Sequence, residues 1–240
     1  MSDPYLLLWL EAPLQSWGHD SRFGRRDSLD FPTRSGVLGL ICCARGAGDE
    51  QRDWLRAWLN LDMQVIAYVP QDRNGRAVLR QPLLKDFQMV GSGYDDQDPW
   101  QNLLIPKTRE GKKAVGGGTK MTYRYYLQDM AYAVAMQAPA SCLDEVVSAL
   151  QSPVWDIYLG RKCCVPTEFI YQGCFDTAEN ALETAQNMAT DKKRVPVMRI
   201  RQGEHDGEII TLQDVPVQFG VNKQYQDRRV TVQLWEAEDG

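Results

Sequence analysis

Histidine is nearly missing from this chain: only His19 and His205, 2 of 240 residues, carry an imidazole. Chemistry that pairs an acid with a base near neutral pH, most often through histidine, has few candidate groups here. The two histidines sit in separate polar loops, with no spacing that ties them to one site. GxSxG, HExxH, GxxxxGK[ST] and GxGxxG are all absent, which removes the signatures of the common hydrolase, protease and nucleotide-binding folds. No CxxC occurs either. Cys42, Cys43, Cys142, Cys163, Cys164 and Cys174 include two adjacent pairs, a poor disulfide framework, and they read as small apolar residues of a reducing compartment. No apolar run approaches the ~20 residues that span a bilayer. The apolar stretch in MSDPYLLLWLEAP has no basic flank and is broken by Glu11, unlike a signal peptide, so a cytoplasmic location is expected. The net charge is -5, so polyanion binding over the whole surface is excluded and any such contact must be a local basic patch.

The length allows one large domain or two small ones. Tyr5–Leu10 reads as a buried strand, followed by a long polar loop to Pro32. Thr33 then caps a helix over Arg34–Arg45, stopped by Gly46 and Gly48. A second helix, Asp49–Asn60, places Trp54, Leu55, Trp58 and Leu59 on one side. Strands are expected at Met63–Val69, Gln81–Val90, Lys120–Leu127 and Met130–Gln137, with a glycine-rich arm at 91–119 between the second and third. A helix over Pro139–Leu150 carries Leu143, Val146, Val147 and Leu150 at helical spacing. The remainder reads as a smaller unit: a turn at YLGRKCCVP, a helix near Asp176–Met188, and strands near Val195–Arg201, Glu208–Leu212 and Arg229–Trp235. This order is compatible with an α+β, ferredoxin-like sheet bearing insertions.

Three segments carry clustered positive charge. From Lys107 to Arg124 stand Lys107, Arg109, Lys112, Lys113, Lys120 and Arg124 against the single acid Glu110. Glycines there let backbone approach a phosphate, and Tyr123, Tyr125 and Tyr126 follow at once, as rings on which unpaired bases stack. Taken alone, such a segment is more often a solvated loop. The second segment holds Arg22, Arg25, Arg26, Arg34 and Ser35 at a helix start, an anion site or merely a cap. The third is Tyr158-Leu159-Gly160-Arg161-Lys162, whose two cations after a glycine suit phosphate or a partner's carboxylates, although a turn showing its charges to water is commoner. Asp95, Asp96 and Asp98 read as a solvated acidic loop, with no ligand spacing that supports a metal.

Several segments together resemble one family. Ala12-Pro13-Leu14-Gln15-Ser16-Trp17-Gly18 precedes Phe31-Pro32-Thr33-Arg34-Ser35-Gly36-Val37-Leu38-Gly39-Leu40. Tyr123-Arg124-Tyr125-Tyr126-Leu127-Gln128-Asp129 and Tyr158-Leu159-Gly160-Arg161-Lys162-Cys163-Cys164 follow in order. The series resembles the CasD subunits of type I-E CRISPR Cascade complexes from Tyr5 to about Phe175. The resemblance implies a ferredoxin-like (RRM-related) palm over 1–155, a β-hairpin thumb inserted at about 91–119, and a small C-terminal β-rich region over 156–240. It implies partners: the 5′ handle of crRNA, CasC-type backbone subunits, a CasA-type large subunit and, through the complex, target DNA, with no membrane. Expected RNA contacts are Gln15, Trp17, Arg25, Arg26, Arg34, Ser35, Lys107, Arg109, Lys112, Lys113, Lys120, Tyr123, Arg124, Arg161 and Lys162. No catalytic residue, metal or cofactor is assigned. Two alternatives stay open: a crRNA-processing endoribonuclease, as in the I-C relatives, and a purely structural assembly protein.

Overall fold

Leu6–Leu10 is buried on both sides, which is why this strand lacks the apolar–polar alternation of a half-exposed one. The computed structural model describes residues 3–19, 24–90, 97–100, 107–112 and 120–235. Strand β1 (Tyr5–Glu11) lies near one edge of a seven-stranded sheet with β4 (Met63–Pro70), β7 (Ala131–Gln137), β8 (Tyr171–Phe175), β9 (Arg194–Gln202), β10 (Glu208–Gln218) and β11 (Gln224–Leu234). The order across the sheet is β10-β11-β9-β4-β7-β1-β8, and every neighbouring pair is antiparallel. The architecture is therefore mixed α and β, dominated by antiparallel sheet.

Helices cover both faces. On one, α1 (Arg34–Ala44), the short α2 (Arg52–Arg56) and α3 (Leu143–Gln151) close over Leu6, Leu8, Leu10, Val65, Val134 and Met136. On the other, Ala178, Ala181, Ala185 and Ala189 of α4 (Ala178–Asp191) pack in one cluster with Ala131, Ala133 and Ala135 of β7. Small side chains on both surfaces let the helix sit close to the sheet. Trp9 and Tyr68 fill the same layer with ring centroids 5.4 Å apart.

A second, smaller sheet stands beside the first. β5 (Leu84–Val90) and β6 (Lys120–Gln128) form an antiparallel hairpin, and β2 (Leu14–Gln15) and β3 (Arg25–Arg26) pair with its inner strand, β3 in parallel. Tyr126 and Leu127 anchor the hairpin in the core, whereas Met121 and Tyr123 are exposed farther out. The arm at 91–119 joins these strands; of it, only 97–100 and 107–112 are described, and Asp95, Asp96 and Lys113 lie outside the described residues, as does Arg22.

The elements differ from the sequence reading in several places. The expected Asp49–Asn60 helix is regular only over Arg52–Arg56, because it starts from Gln51 in a left-handed conformation without a side-chain cap. Its aromatic face is real: Trp54 and Trp58 stack at 5.0 Å. The Pro139–Leu150 helix opens with a 3-10 turn, Ala140–Cys142, before α3. β10 and β11 run well past the expected strands, through bulges between Leu212 and Val215 and between Pro216 and Gln218 that interrupt the alternation. β8, absent from the sequence reading, is short and bulged against β1.

One buried ionic knot ties the C-terminal strands to α1. Asp214 on β10 accepts from Arg228 Nε and Nη2 (2.7 and 2.8 Å) and from the Arg34 backbone N–H at the start of α1 (2.7 Å). All three residues are buried. Arg34 turns its own guanidinium the other way, onto the carbonyls of Leu59 (3.2 Å) and Leu61. Burial, helped by the like charge of Arg228, lowers the Arg34 guanidinium to about 10.

None of the six cysteines is paired. Cys42 and Cys164 are buried, and burial pushes their thiols up to about 11 and about 12; Cys163 and Cys174 are exposed. The apolar-filler reading therefore fits the first two and not the last two. Among the described residues no helix is long and apolar enough to cross a membrane, and no cluster of three or more His, Cys, Asp or Glu side chains is arranged for a metal.

Candidate functional site

α1 turns a strip of small residues outward. Ser35, Gly36, Gly39 and Cys43 form one wall of a groove of about 510 Å³, and a side hollow of about 210 Å³ opens between the same residues, Tyr158 and Gly160. The space opposite Gly39 is empty: a Cβ added there meets nothing within 4 Å. The facing wall comes from the 158–160 turn, Trp155, the β10–β11 loop, which contributes Phe219, Gly220 and Lys223, and Tyr225 at the start of β11. Rings and small residues thus converge on one concave surface, whose charged lining residues are Lys223 and Asp49. Burial and the Asp156 carboxylate push the Cys43 thiol up, while Lys162 opposes them.

The polar loop after β1 is pinned between the groove and the hairpin. Ser16 N–H donates to the Leu159 carbonyl (3.2 Å) and its Oγ to the Tyr125 carbonyl (3.1 Å), while Leu29 N–H donates to the Trp17 carbonyl (2.8 Å). The Tyr123 N–H donates to Gly24 O (2.7 Å). These bonds bring the exposed Arg25 and Arg26 alongside Tyr123 and Arg124. The Arg25 guanidinium lies 5.1 Å from the Tyr125 ring centre and pairs with Asp27. Arg161 lies 4.6 Å over Tyr126 and donates to Arg26 O (2.8 Å).

One face of the hairpin carries Lys85, Phe87 and Met89 against Tyr125, Tyr123 and Met121. Phe87 and Tyr123 stack at 5.2 Å, Lys85 lies 4.6 Å over Tyr123, and Phe87 remains 48 % exposed. Exposed rings flanked by cations suit unpaired bases and their phosphates. Farther along the arm, Lys107, Arg109 and Lys112 are exposed. Lys120 pairs through its backbone with Val90.

Three expected RNA-facing residues are interior instead. Gln15 is fully buried, its amide donating to Leu10 O (3.2 Å) and Met130 O (2.8 Å). Trp17 is 1 % exposed, with Nε1 on Gln15 Oε1 (3.2 Å), and backs the groove as packing. The Arg34 side chain is spent on two carbonyls, so it cannot meet an anion at the helix start. Ser35 stays half-buried on the groove wall, its Oγ donating to Thr33 Oγ1 (3.3 Å). The sequence reading missed Trp155, Phe219, Lys223 and Tyr225 as wall residues, whereas Tyr158 opens the third charged segment. Only the ring-and-glycine pattern Phe219-Gly220 ahead of Lys223 and Tyr225 offered a signal.

With this geometry in view, comparison with known proteins is specific. The family described as CRISPR-associated protein (Cas_Cas5) matches residues 5–231. The CRISPR system Cascade subunit CasD of Escherichia coli (strain K12) is 28% identical over 172 residues, 70% of this chain and 70% of the relative. A solved chain from a CRISPR RNA-guided surveillance complex superposes with a TM-score of 0.69 at 27% identity, covering 97% of this chain and 90% of that one. A crystal structure of a Cas protein, at 23% identity and TM-score 0.57, shares the fold over 98% of this chain and 96% of that one. The chain therefore belongs to the CRISPR-associated Cas5 family, and within it is similar to the CasD subunit of Cascade.

Proposed function

We propose that this subunit grips the 5′ handle of a crRNA without cutting it, in a type I-E Cascade where it also meets CasC-type backbone subunits and a CasA-type large subunit. The observation that carries the reading is the open small-residue wall of α1 facing Trp155, Tyr158, Phe219, Lys223 and Tyr225, with a separate face of exposed rings and cations on the hairpin. A groove lined by glycine and aromatic side chains admits flat bases, and the surrounding cations meet their phosphates. Strands β1, β4, β7 and β8 with α1 and α3 follow the βαββαβ order of a ferredoxin-like palm, and the β5–β6 hairpin takes the place of the thumb. The domain reading is then a palm in 1–155 carrying the thumb arm of 91–119, with 156–240 adding further strands. An address in the cytoplasm goes with this role.

Replacing Lys107, Arg109, Lys112 and Lys113 together by alanine is expected to lower guide-RNA retention in the assembled complex without unfolding the chain. The slope of log affinity against log salt should fall by about 1 for each phosphate that the variant no longer neutralises. Unchanged retention with an unchanged slope would remove the thumb from the proposal.

The non-catalytic part of the reading rests on the histidines. His205 donates its backbone N–H to Thr231 Oγ1 (2.9 Å), and its Nε2 lies 3.0 Å from Gln202 O, both within the β9–β11 end of the sheet. The purified chain should leave repeat RNA intact with or without divalent metal. A single specific cut, abolished by His19→Ala, would establish the endoribonuclease instead.

A further inference from the structure

A second groove, about 730 Å³, opens between the loop Ser28–Phe31 and the free end of the C-terminal strands. Its floor is apolar: Leu29, Phe31, Met198, Ile210 and Val232. α1 and α2 both pack on β10, with Asp214 and the following Phe219 bonded to the Arg34 N–H and the Glu50 carbonyl, while Ile210 and Val232 stay only partly buried at the groove. At the rim Leu234 is 71 % exposed, and Trp235 follows it at 43 %. The charges on this groove are all of one sign. Asp30, Asp206 and Glu208 line it, and no lysine or arginine does. Arg80 offsets Asp30 at 3.0 Å from outside the lining, and Arg229 pairs with Glu204 instead of the rim. Among the described residues neither Asp206 nor Glu208 forms an ion pair.

We propose that this groove docks a segment of a protein partner whose apolar side chains are flanked by lysine or arginine. The apolar floor supplies the burial, and the carboxylate rim supplies the charge complement that sets orientation and encounter rate. A phosphate backbone is repelled by the same rim, so this surface is separate in kind from the cation-bearing groove beside α1. The chain's own continuation after Trp235 reads Glu-Ala-Glu-Asp-Gly, and its acids are equally mismatched. Among the described residues β10 is the outermost strand of the sheet and pairs on one side only, so an extended segment entering here also finds a strand edge.

The test uses the full chain and three probes: a fluorescent Leu/Val hexapeptide flanked by lysines, the same peptide flanked by glutamates, and an oligouridine RNA. The lysine peptide is expected to bind, and the glutamate peptide to bind about tenfold more weakly or not at all. The double variant Asp206→Lys/Glu208→Lys should lose about tenfold or more in affinity for the lysine peptide. Glu179→Lys/Glu183→Lys on α4 is the control and should lose little, and thermal unfolding of both variants shows that they remain folded. Equal affinity in the rim variant, or an equal loss in the α4 control, overturns the proposal. Displacement of the peptide by the RNA would make the groove a nucleic-acid site, and a self-association that the rim variant abolishes would make a second copy the occupant; either result also overturns it.

Discussion

Replacing Asp214 by alanine is expected to cost about 3–5 kcal/mol of folding stability, the range for removing one partner of a buried ion pair. The reason lies in what stays behind. Asp214 is 2 % exposed and accepts three hydrogen bonds, two from Arg228 and one from the Arg34 N–H. Without the carboxylate, Arg228 is a buried guanidinium with no counter-charge, set near a second buried guanidinium on Arg34. The first turn of α1 also loses an acceptor for one of its free N–H groups. Asp214→Asn keeps an acceptor but loses the charge, so its cost should fall between wild type and alanine. Urea unfolding at constant slope measures both. A loss below about 1 kcal/mol for the alanine variant would mean that water or a shifted side chain replaces the carboxylate, and that the knot is dispensable. Because the knot holds the end of α1 that lines the small-residue groove, guide-RNA retention should fall along with stability.

That knot also shows why part of the site was illegible in the sequence. Local signals worked where one segment decides its own structure. The apolar run of β1, the Thr33 cap, the ends of α1 and the β4 strand follow from periodicity and capping alone, and Thr33 Oγ1 does accept from Gly36 N–H (3.1 Å). Arg34 was a different problem. A cation at a helix start reads as an anion site, yet its partners are carbonyls at Leu59 and Leu61 and a carboxylate 180 positions away. No window of sequence contains that information. Gln15 and Trp17 follow the same logic: the motif that carries the family resemblance is in part scaffold, because a buried amide bridging Leu10 and Met130 specifies the loop as strictly as a bound ligand would. The missing groove wall, Phe219 to Tyr225, sits beyond bulges that hide the strand pattern leading to it.

Two glycines on opposite walls of the groove should respond oppositely in stability and alike in function. Gly160 has φ near +91°, and a Cβ built on it would lie 1.7 Å from the Ser16 carbonyl oxygen. Gly160→Ala therefore forces the turn away from Ser16. It breaks the Ser16–Leu159 bond and displaces Arg161 from the Tyr126 ring, on top of about 1–2 kcal/mol of left-handed strain. Both stability and RNA retention are expected to drop. Gly39 lies inside α1 with open space at its Cβ position. Gly39→Ala should stabilise the chain by about 0.5–1 kcal/mol, since alanine loses less backbone entropy in a helix. The added methyl also narrows the groove, and Gly39→Leu narrows it further. Measured retention of guide RNA should then decrease from glycine to alanine to leucine while the unfolding midpoint does not fall with it. That divergence separates a groove that holds RNA from one that merely packs: if the leucine variant is stable and keeps its RNA, the handle is bound elsewhere on the subunit, and the hairpin face around Phe87 and Tyr123 becomes the surface to test next.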